Sequence, residues 1–237
     1  MGNRDTAVVL VAGGTGERFG RSGGKQLAEL AGRPVLAHSF AACVGVSRVG
    51  LVVVVCHPER LSEYADAIGT HASGVEVSFV AGGVRRQDSV AAGLAAVPDT
   101  FTHIAVHDGA RPLAPSSLLE RALTALDGEP TLAGIVVGHP SVDTLKTVDG
   151  AVVTGTPERD RFWAVQTPQV FDAGILRTAY AEAARAGLEG TDDASLVEAA
   201  GGLVGVLEGP RDNIKVTLAE DLAIAEAILA LQDERRG

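Results

Sequence analysis

Six stretches of this chain are almost continuously apolar: 7–12, 50–56, 75–80, 103–107, 132–138 and 203–207. Most of these runs have no alternate polar face to give to water, so they predict strands covered on both sides of a sheet. Between them apolar positions recur at helical spacing, over about 34–45, 58–68, 87–97, 115–126, 172–187, 192–200 and 218–232. Pro115-Ser116-Ser117, Thr191-Asp192-Asp193 and the capping-box pattern Thr217-x-x-Glu220 mark helix starts. This alternation implies an α/β fold: a doubly wound, mainly parallel sheet with helices on both faces.

One segment breaks the rhythm. Residues 143–148 and 151–154 flank Asp149-Gly150, a strong two-residue hairpin signal. A hairpin inserted in a doubly wound domain cannot easily bury both of its faces on its own subunit. It is expected to form a β-arm, at about 140–163, that pairs with a second copy of the chain. Everything else reads as a single domain over 1–237, with no internal repeat and no low-complexity linker.

Composition narrows the function classes. A net charge of −10 and a pI near 5.0 argue against a nucleic-acid surface. No apolar run reaches the length of a membrane span and no charged-then-apolar leader stands at the start, so no membrane partner is expected and the cytoplasm is the expected compartment. Cys43 and Cys56 sit in apolar contexts without metal-ligand spacing and read as reduced core thiols. The chain has 17 Arg and only three Lys, which singles out Lys25, Lys146 and Lys215.

The chemistry begins at the end of the first strand. Val8-Val9-Leu10-Val11 breaks into Ala12-Gly13-Gly14-Thr15-Gly16-Glu17-Arg18-Phe19-Gly20, followed by Lys25. Glycines let the backbone turn sharply and bring bare N–H groups against a bulky anion; Arg18 and Lys25 neutralise charge that N–H dipoles offset only in part. A triphosphate suits this pattern. Two commoner glycine motifs do not match it. A Walker loop needs Gly where Phe19 stands and Ser or Thr where Gln26 stands. The dinucleotide fingerprint fails because Gly14-Thr15-Gly16 runs on into Glu17-Arg18-Phe19, and because the strand 50–56 ends in Cys56-His57 with no acid for a ribose.

Ligands of an open parallel sheet bind beyond the carboxyl ends of its strands. The polar residues there include Gly82, Gly83, Arg85, Arg86 and Ser89, then His107 to Pro112, then Asp143-Thr144, and finally Lys215. Gly82 and Gly83 can bring backbone donors and acceptors to a base edge, and Ser89 can add a hydroxyl. Arg85 reads as a solvated charge, while Arg86 is kept on the nucleotide side. Asp108 ends a buried strand, a costly placement that calls for a partner. Mg²⁺ is one, since it typically takes one or two carboxylates plus phosphate oxygens and water; a structural pair with Arg111 is the other.

These residues also carry a resemblance. Ala12 to Arg18 with Lys25-Gln26, Val106-His107-Asp108-Gly109-Ala110-Arg111-Pro112, Gln166-Thr167-Pro168-Gln169-Val170-Phe171, Thr191-Asp192-Asp193-Ala194-Ser195 and Asp212-Asn213-Ile214-Lys215-Val216-Thr217 together resemble the 2-C-methyl-D-erythritol 4-phosphate cytidylyltransferases. The match runs in order over about residues 7–230. It implies a Rossmann-like sheet, a homodimer held partly by an exchanged arm, and Mg²⁺-dependent transfer of CMP from CTP in the non-mevalonate route to isoprenoids. It makes Arg18, Lys25 and Lys215 the catalytic cations and Asp108 the metal-side carboxylate. CTP would lie against Ala12, Gly13, Gly14, Thr15 and Gly16, against Gly82, Gly83, Arg86 and Ser89, and against Asp108 and Gly109. Arg111, Asp143, Thr144, Arg159 and Thr167 would hold the acceptor phosphate, with Thr144 and Arg159 coming from the partner's arm. The chain departs from the family's frequent pattern at Gly13, at Gly109 and at Ser22-Gly23-Gly24.

A phosphate monoester is mostly dianionic near neutral pH, so such an acceptor needs no general base. The site's work is to bring two anions together and to stabilise the charge that builds during transfer. Ribitol 5-phosphate cytidylyltransferases share the glycine loop and the motifs around Asp108 and Lys215, but Thr191 to Ser195 and Arg159 to Trp163 look more like the methylerythritol enzymes. An NAD(P)-dependent reductase would usually need a Tyr-x-x-x-Lys pair, which neither Tyr64 nor Tyr180 begins.

Overall fold

A computed structural model of the chain describes residues 4–14, 19, 24–69 and 74–234. Seven strands form the main sheet: β1 (Thr6–Val11), β4 (Val49–Cys56), β5 (Glu76–Ala81), β6 (His103–Asp108), β7 (Gly134–Pro140), β10 (Trp163–Asp172) and β11 (Val204–Glu208). Their order is β11-β7-β10-β6-β1-β4-β5, all parallel except β10, which runs antiparallel to both neighbours. Two further pairs stand outside it: β2 (Glu29–Leu30) with β3 (Arg33–Pro34), and β8 (Thr147–Asp149) with β9 (Val152–Gly155). The helices are α1 (Val35–Val44), α2 (Leu61–Ile68), α3 (Arg86–Ala95), α4 (Ser116–Gly128), α5 (Ala173–Ala186), α6 (Asp193–Ala199) and α7 (Glu220–Glu234).

Period-two burial explains why the central strands are apolar throughout. Val8, Leu10, Val52 and Val54 turn to one face and meet Leu36 and Phe40 of α1 and Leu119 and Leu123 of α4. Val9, Val53 and Val55 turn to the other and meet Val90 and Leu94 of α3 and Leu176 and Ala179 of α5. Each such fully buried side chain contributes about 1.5–3 kcal/mol, so both faces are needed to hold the sheet. A third cluster, Phe19, Leu30, Val35, Leu113, Val216 and Leu222, seats the β2–β3 hairpin and α7 beside the sheet.

All six apolar runs are strands, within two residues of their expected bounds. β10 is the strand of the main sheet that periodicity misses, because Pro168 sits inside it. The pairing of β10 with β7 shifts between Val165 and Gln169, and Pro168 falls in that break, where no ladder N–H is required. Two local expectations are corrected. The tight loop of the arm is Gly150-Ala151 instead of Asp149-Gly150: Asp149 pairs with Val152, and Gly150 takes the positive φ of 55° that the first loop position demands. Residues 143–146 are irregular instead of strand. At the last helix Asp221, not Glu220, supplies the cap, accepting from the backbone N–H groups of Thr217 at 2.7 Å and Leu218 at 2.8 Å.

The β8–β9 hairpin stays apart from the main sheet. Val148, Val152 and Val153 are 62%, 68% and 55% exposed. A hairpin folded flat on its own sheet would have covered them.

Candidate active site

The loops after β1, β4, β5 and β6 open at the carboxyl edge of the sheet onto a cleft of about 720 Å³. Gly13, Gly14, His57, Gly82, Gly83, Ser89, Asp108 and Lys215 line it, and Lys25 and Gln26 close it from the 3-10 turn Lys25–Leu27. Backbone hydrogen bonds tie these loops together. The Ala12 N–H donates to the Val55 carbonyl at 2.8 Å and the Gly82 N–H to the Cys56 carbonyl at 2.7 Å. The buried Tyr64 hydroxyl donates to the Ala12 carbonyl at 3.0 Å, and burial pushes that phenol up to about 12. Glycine is required by close approach here. A Cβ at Gly83 would lie 2.4 Å from Asp88 Cβ, and one at Gly13 would press on the Cys56 carbonyl at 3.3 Å. Ser89 Oγ accepts from the Gly83 N–H at 3.1 Å and so braces this loop against α3.

Asp108 is the electrostatic centre. It is 7% exposed, yet three cations surround it: Lys215 Nζ at 2.7 Å, Arg86 Nε at 3.3 Å and Arg111 Nε at 3.9 Å. Burial by itself pushes the carboxyl up, and the charges of Arg86, Lys215 and Arg111 override it, holding Asp108 well below the usual carboxylate range. Its main partner is therefore Lys215, with Arg111 the most distant of the three. Arg86 also meets a second buried acid, Asp193, at 2.8 Å, so three cations face two carboxylates and one positive charge is left over at the cleft.

Behind Asp108 lies a polar layer with little access to water. Thr167 Oγ1 accepts from the Asp108 N–H at 3.0 Å and sits 3.0 Å from His107 Nδ1. Burial pushes the His107 imidazole down to about 4, so it is neutral at pH 7. Asn213 donates to Gln166 Oε1 and to the Thr167 carbonyl, both at 3.0 Å, while its own carbonyl accepts from Arg111 Nη1 at 2.7 Å. The segment that carries Lys215 is thereby fixed to β10 and to the loop after β6.

Most of the nucleotide-side candidates meet in this cleft: Gly13, Gly14, Lys25, Gly82, Gly83, Arg86, Ser89, Asp108 and Lys215. Ala12 and Gly109 support it from behind. Ala12 is fully buried, and the Gly109 N–H donates to the Val11 carbonyl at 2.8 Å. Thr15, Gly16 and Arg18 lie outside the described residues. Arg85 is half exposed and pairs with Asp88 and Glu189. The acceptor-side candidates divide. Arg111 and Thr167 are at Asp108, whereas Asp143, Thr144 and Arg159 are exposed in the arm region and do not line the cleft of their own chain. Lys146 is also on the arm, its Nζ donating to Thr156 Oγ1 at 2.7 Å. His57 and Gln26 line the cleft without having been expected there. For His57 the signal was available, since it directly follows β4 at the carboxyl edge.

Cys43 and Cys56 are free, buried thiols that burial pushes up to about 12. Among the described residues no helix is long and apolar enough to cross a membrane.

The family model for IspD, 2-C-methyl-D-erythritol 4-phosphate cytidylyltransferase, matches residues 6–231. The chain belongs to this family. It is accordingly a cytidylyltransferase with an α/β nucleotidyltransferase fold. Relatives of the same name include a Prochlorococcus marinus protein, 41% identical over 95% of this chain and 98% of its own length. A Geotalea uraniireducens protein is 39% identical over 98% and 100%. Among solved structures, the Thermus thermophilus cytidylyltransferase superposes with a TM-score of 0.72 at 33% identity, covering 94% of this chain and 98% of that one. A 4-diphosphocytidyl-2C-methyl-D-erythritol synthase from Anaerococcus prevotii gives 0.84 at 27% identity, covering 95% and 98%.

Proposed function

We propose that the cleft over Asp108 transfers CMP from CTP to 2-C-methyl-D-erythritol 4-phosphate, and that an arm from a second copy of the chain completes its acceptor end. The observation that carries this reading is the excess of cations around one buried carboxylate beside a glycine-lined cleft. The acceptor's phosphate oxygen attacks the α-phosphorus, a P–O bond forms there, and the bond to the β-phosphate breaks to release pyrophosphate. Lys25 and Lys215, with Arg18, offset the repulsion between the two anions and stabilise charge on the pentacoordinate centre. Gly82 and Gly83 face the base through their backbone groups, and Ser89 holds their loop in shape. Arg111 and Thr167 stand on the acceptor side.

The donor set fits a Mg²⁺ ion shared with the nucleotide. Asp108 offers hard carboxylate oxygens held in the ionised form, and among the described residues no group of three or more His, Cys, Asp or Glu forms a closed cage. Asp108 would hold the ion, which when bound neutralises phosphate charge and aids pyrophosphate departure. In the free protein Lys215 and Arg86 spend their charge on Asp108, and triphosphate oxygens compete for the same N–H groups.

Support for the arm comes from its exposed valines and from Asp143, Thr144 and Arg159 not lining their own chain's cleft. Thr144 of the partner subunit and Arg159 of the partner subunit would close the acceptor site. A cytoplasmic setting belongs to the same reading, since both thiols are free and buried.

Pyrophosphate release from CTP and Mg²⁺, with 2-C-methyl-D-erythritol 4-phosphate and ribitol 5-phosphate offered separately, tests the acceptor. Turnover with the first is expected; turnover with ribitol 5-phosphate alone would reassign it. Arm exchange is tested by mixing inactive Lys25→Ala and Arg159→Ala chains. Mixed dimers regain one intact site each, so about a quarter of wild-type activity returns if arms cross. No recovery after verified subunit exchange would overturn the exchanged arm.

A further inference from the structure

The Thr191 to Ser195 motif lies outside the cleft, yet it reaches Asp108 through one side chain. Asp193, the first residue of α6, is fully buried. Its Oδ2 accepts from Arg86 Nη2 at 2.8 Å and its Oδ1 from the Tyr180 hydroxyl at 2.5 Å. Arg86 gives its Nε to Asp108 Oδ1 at 3.3 Å. The Nε and Nη2 groups form the edge of a guanidinium that a single carboxylate takes in a bidentate pair. Here that edge is divided between two carboxylates, with the shorter contact on the side away from the cleft.

The support for Asp193 is rigid. Its helix start is capped by Asp192, which accepts from the Ser195 N–H at 2.9 Å. Gln169 of β10 donates to Asp192 Oδ2 at 2.8 Å and accepts from the Ala194 N–H at 3.2 Å. Asp193 is thus held on the same strand that carries Thr167 against Asp108.

We propose that Asp193 is a positioning residue for cytidylyl transfer: by holding Arg86 it denies that guanidinium a bidentate lock on Asp108 and keeps Asp108 exchangeable. The inference rests on Asp108 belonging to the reaction centre. Without the Asp193 charge, Arg86 has one carboxylate left to face and turns its Nε/Nη2 edge onto it. Asp108 then stays paired when the triphosphate arrives.

The decisive experiment compares steady-state kinetics of Asp193→Asn, Tyr180→Phe, and Asp193→Asn combined with Arg86→Lys, with Asp108→Asn as reference. Asp193→Asn is expected to lower kcat at least tenfold with the KM for CTP changed less than threefold. Lys cannot form the bidentate lock, so Arg86→Lys should restore severalfold of the rate lost in Asp193→Asn. Tyr180→Phe removes a hydrogen bond from the same carboxylate and leaves its charge, so it should lower thermal stability while kcat stays within twofold. A double variant no faster than Asp193→Asn, or a Tyr180→Phe protein equally slow, makes Asp193 merely structural and overturns the proposal. Should Asp193→Asn not fold, Asp193→Ser carries the same expectations. An inactive Asp108→Asn beside an unimpaired Asp193→Asn defeats this inference alone; normal turnover by Asp108→Asn would defeat the reading of the cleft as well.

Discussion

β6 carries an ionic cluster at each end, and the two clusters have opposite charge ratios. At its carboxyl end the buried Asp108 faces Lys215, Arg86 and Arg111. At its amino end a single guanidinium, Arg48, serves two carboxylates, Asp5 at 2.8 Å and Asp127 at 2.5 Å, with His103 Nε2 3.2 Å from Asp127. The second cluster straps the starts of β1, β4 and β6 to the end of α4, and its carboxylates outnumber its guanidinium. In the first the cations outnumber the acids, and the acid they share is buried. A protein that needed only to tie its strands down would not collect three cations on one buried acid. The surplus has a purpose only when an anion arrives.

That contrast can be broken experimentally. Asp108→Asn leaves Lys215 and Arg111 without their shared acid, while Arg86 keeps Asp193. It should cost about 3 kcal/mol of stability by urea unfolding, alongside a loss of turnover. Lys215→Ala should lower kcat on the order of 10²–10³-fold with the fold kept by circular dichroism, since one preorganised charge at the reacting phosphate is lost. A folded variant with near-normal turnover would remove Lys215 from the chemistry.

His107 sharpens the comparison through pH. Its folded value of about 4 lies below the ordinary 6.5. The unfolded chain therefore binds more protons between those values, so stability is full above about 6.5 and is lost as pH falls toward 4. His107→Gln should flatten this window, removing roughly 2–3 kcal/mol of the difference between pH 7 and 4.5 in urea midpoints. The smallest effect belongs at the amino end. Asp5 is lowered, with burial opposing and the Arg48 hydrogen bond prevailing, so its contribution is present above pH 4 and lost below it. Asp5→Asn should cost about 1 kcal/mol or less and leave kcat unchanged.

Legibility in the sequence followed how local each feature is. The strands that build the cleft floor were visible because residues such as Val52 to Val55 are buried on both faces and must all be apolar. Gly13, Gly14, Asp108 and Lys215 were visible as cleft residues because strand ends in a parallel sheet all open on one edge. β10 was hidden because its ladder is broken at Pro168, and only its neighbours β6 and β7 supply the pairing that makes it a strand. Asp193 appeared as part of a helix start, which it is. Its link to Arg86, 107 residues away, left no trace in any local pattern. Tyr64, whose hydroxyl reaches the Ala12 carbonyl, escaped for the same reason.

The sequence by itself determined the six parallel strands and the helices between them, the edge of the sheet at which the cleft opens and the residue types collected there, because hydrophobic period and turn chemistry act over a few neighbouring residues. Tertiary structure decided how charge is divided at that edge: that Lys215, and not Arg111, is the near partner of Asp108, and that one edge of Arg86 is shared between two acids. Electrostatic interaction in a buried site depends on distances of a few ångströms between residues far apart in the chain, and those distances exist only once the sheet has closed its layers around them.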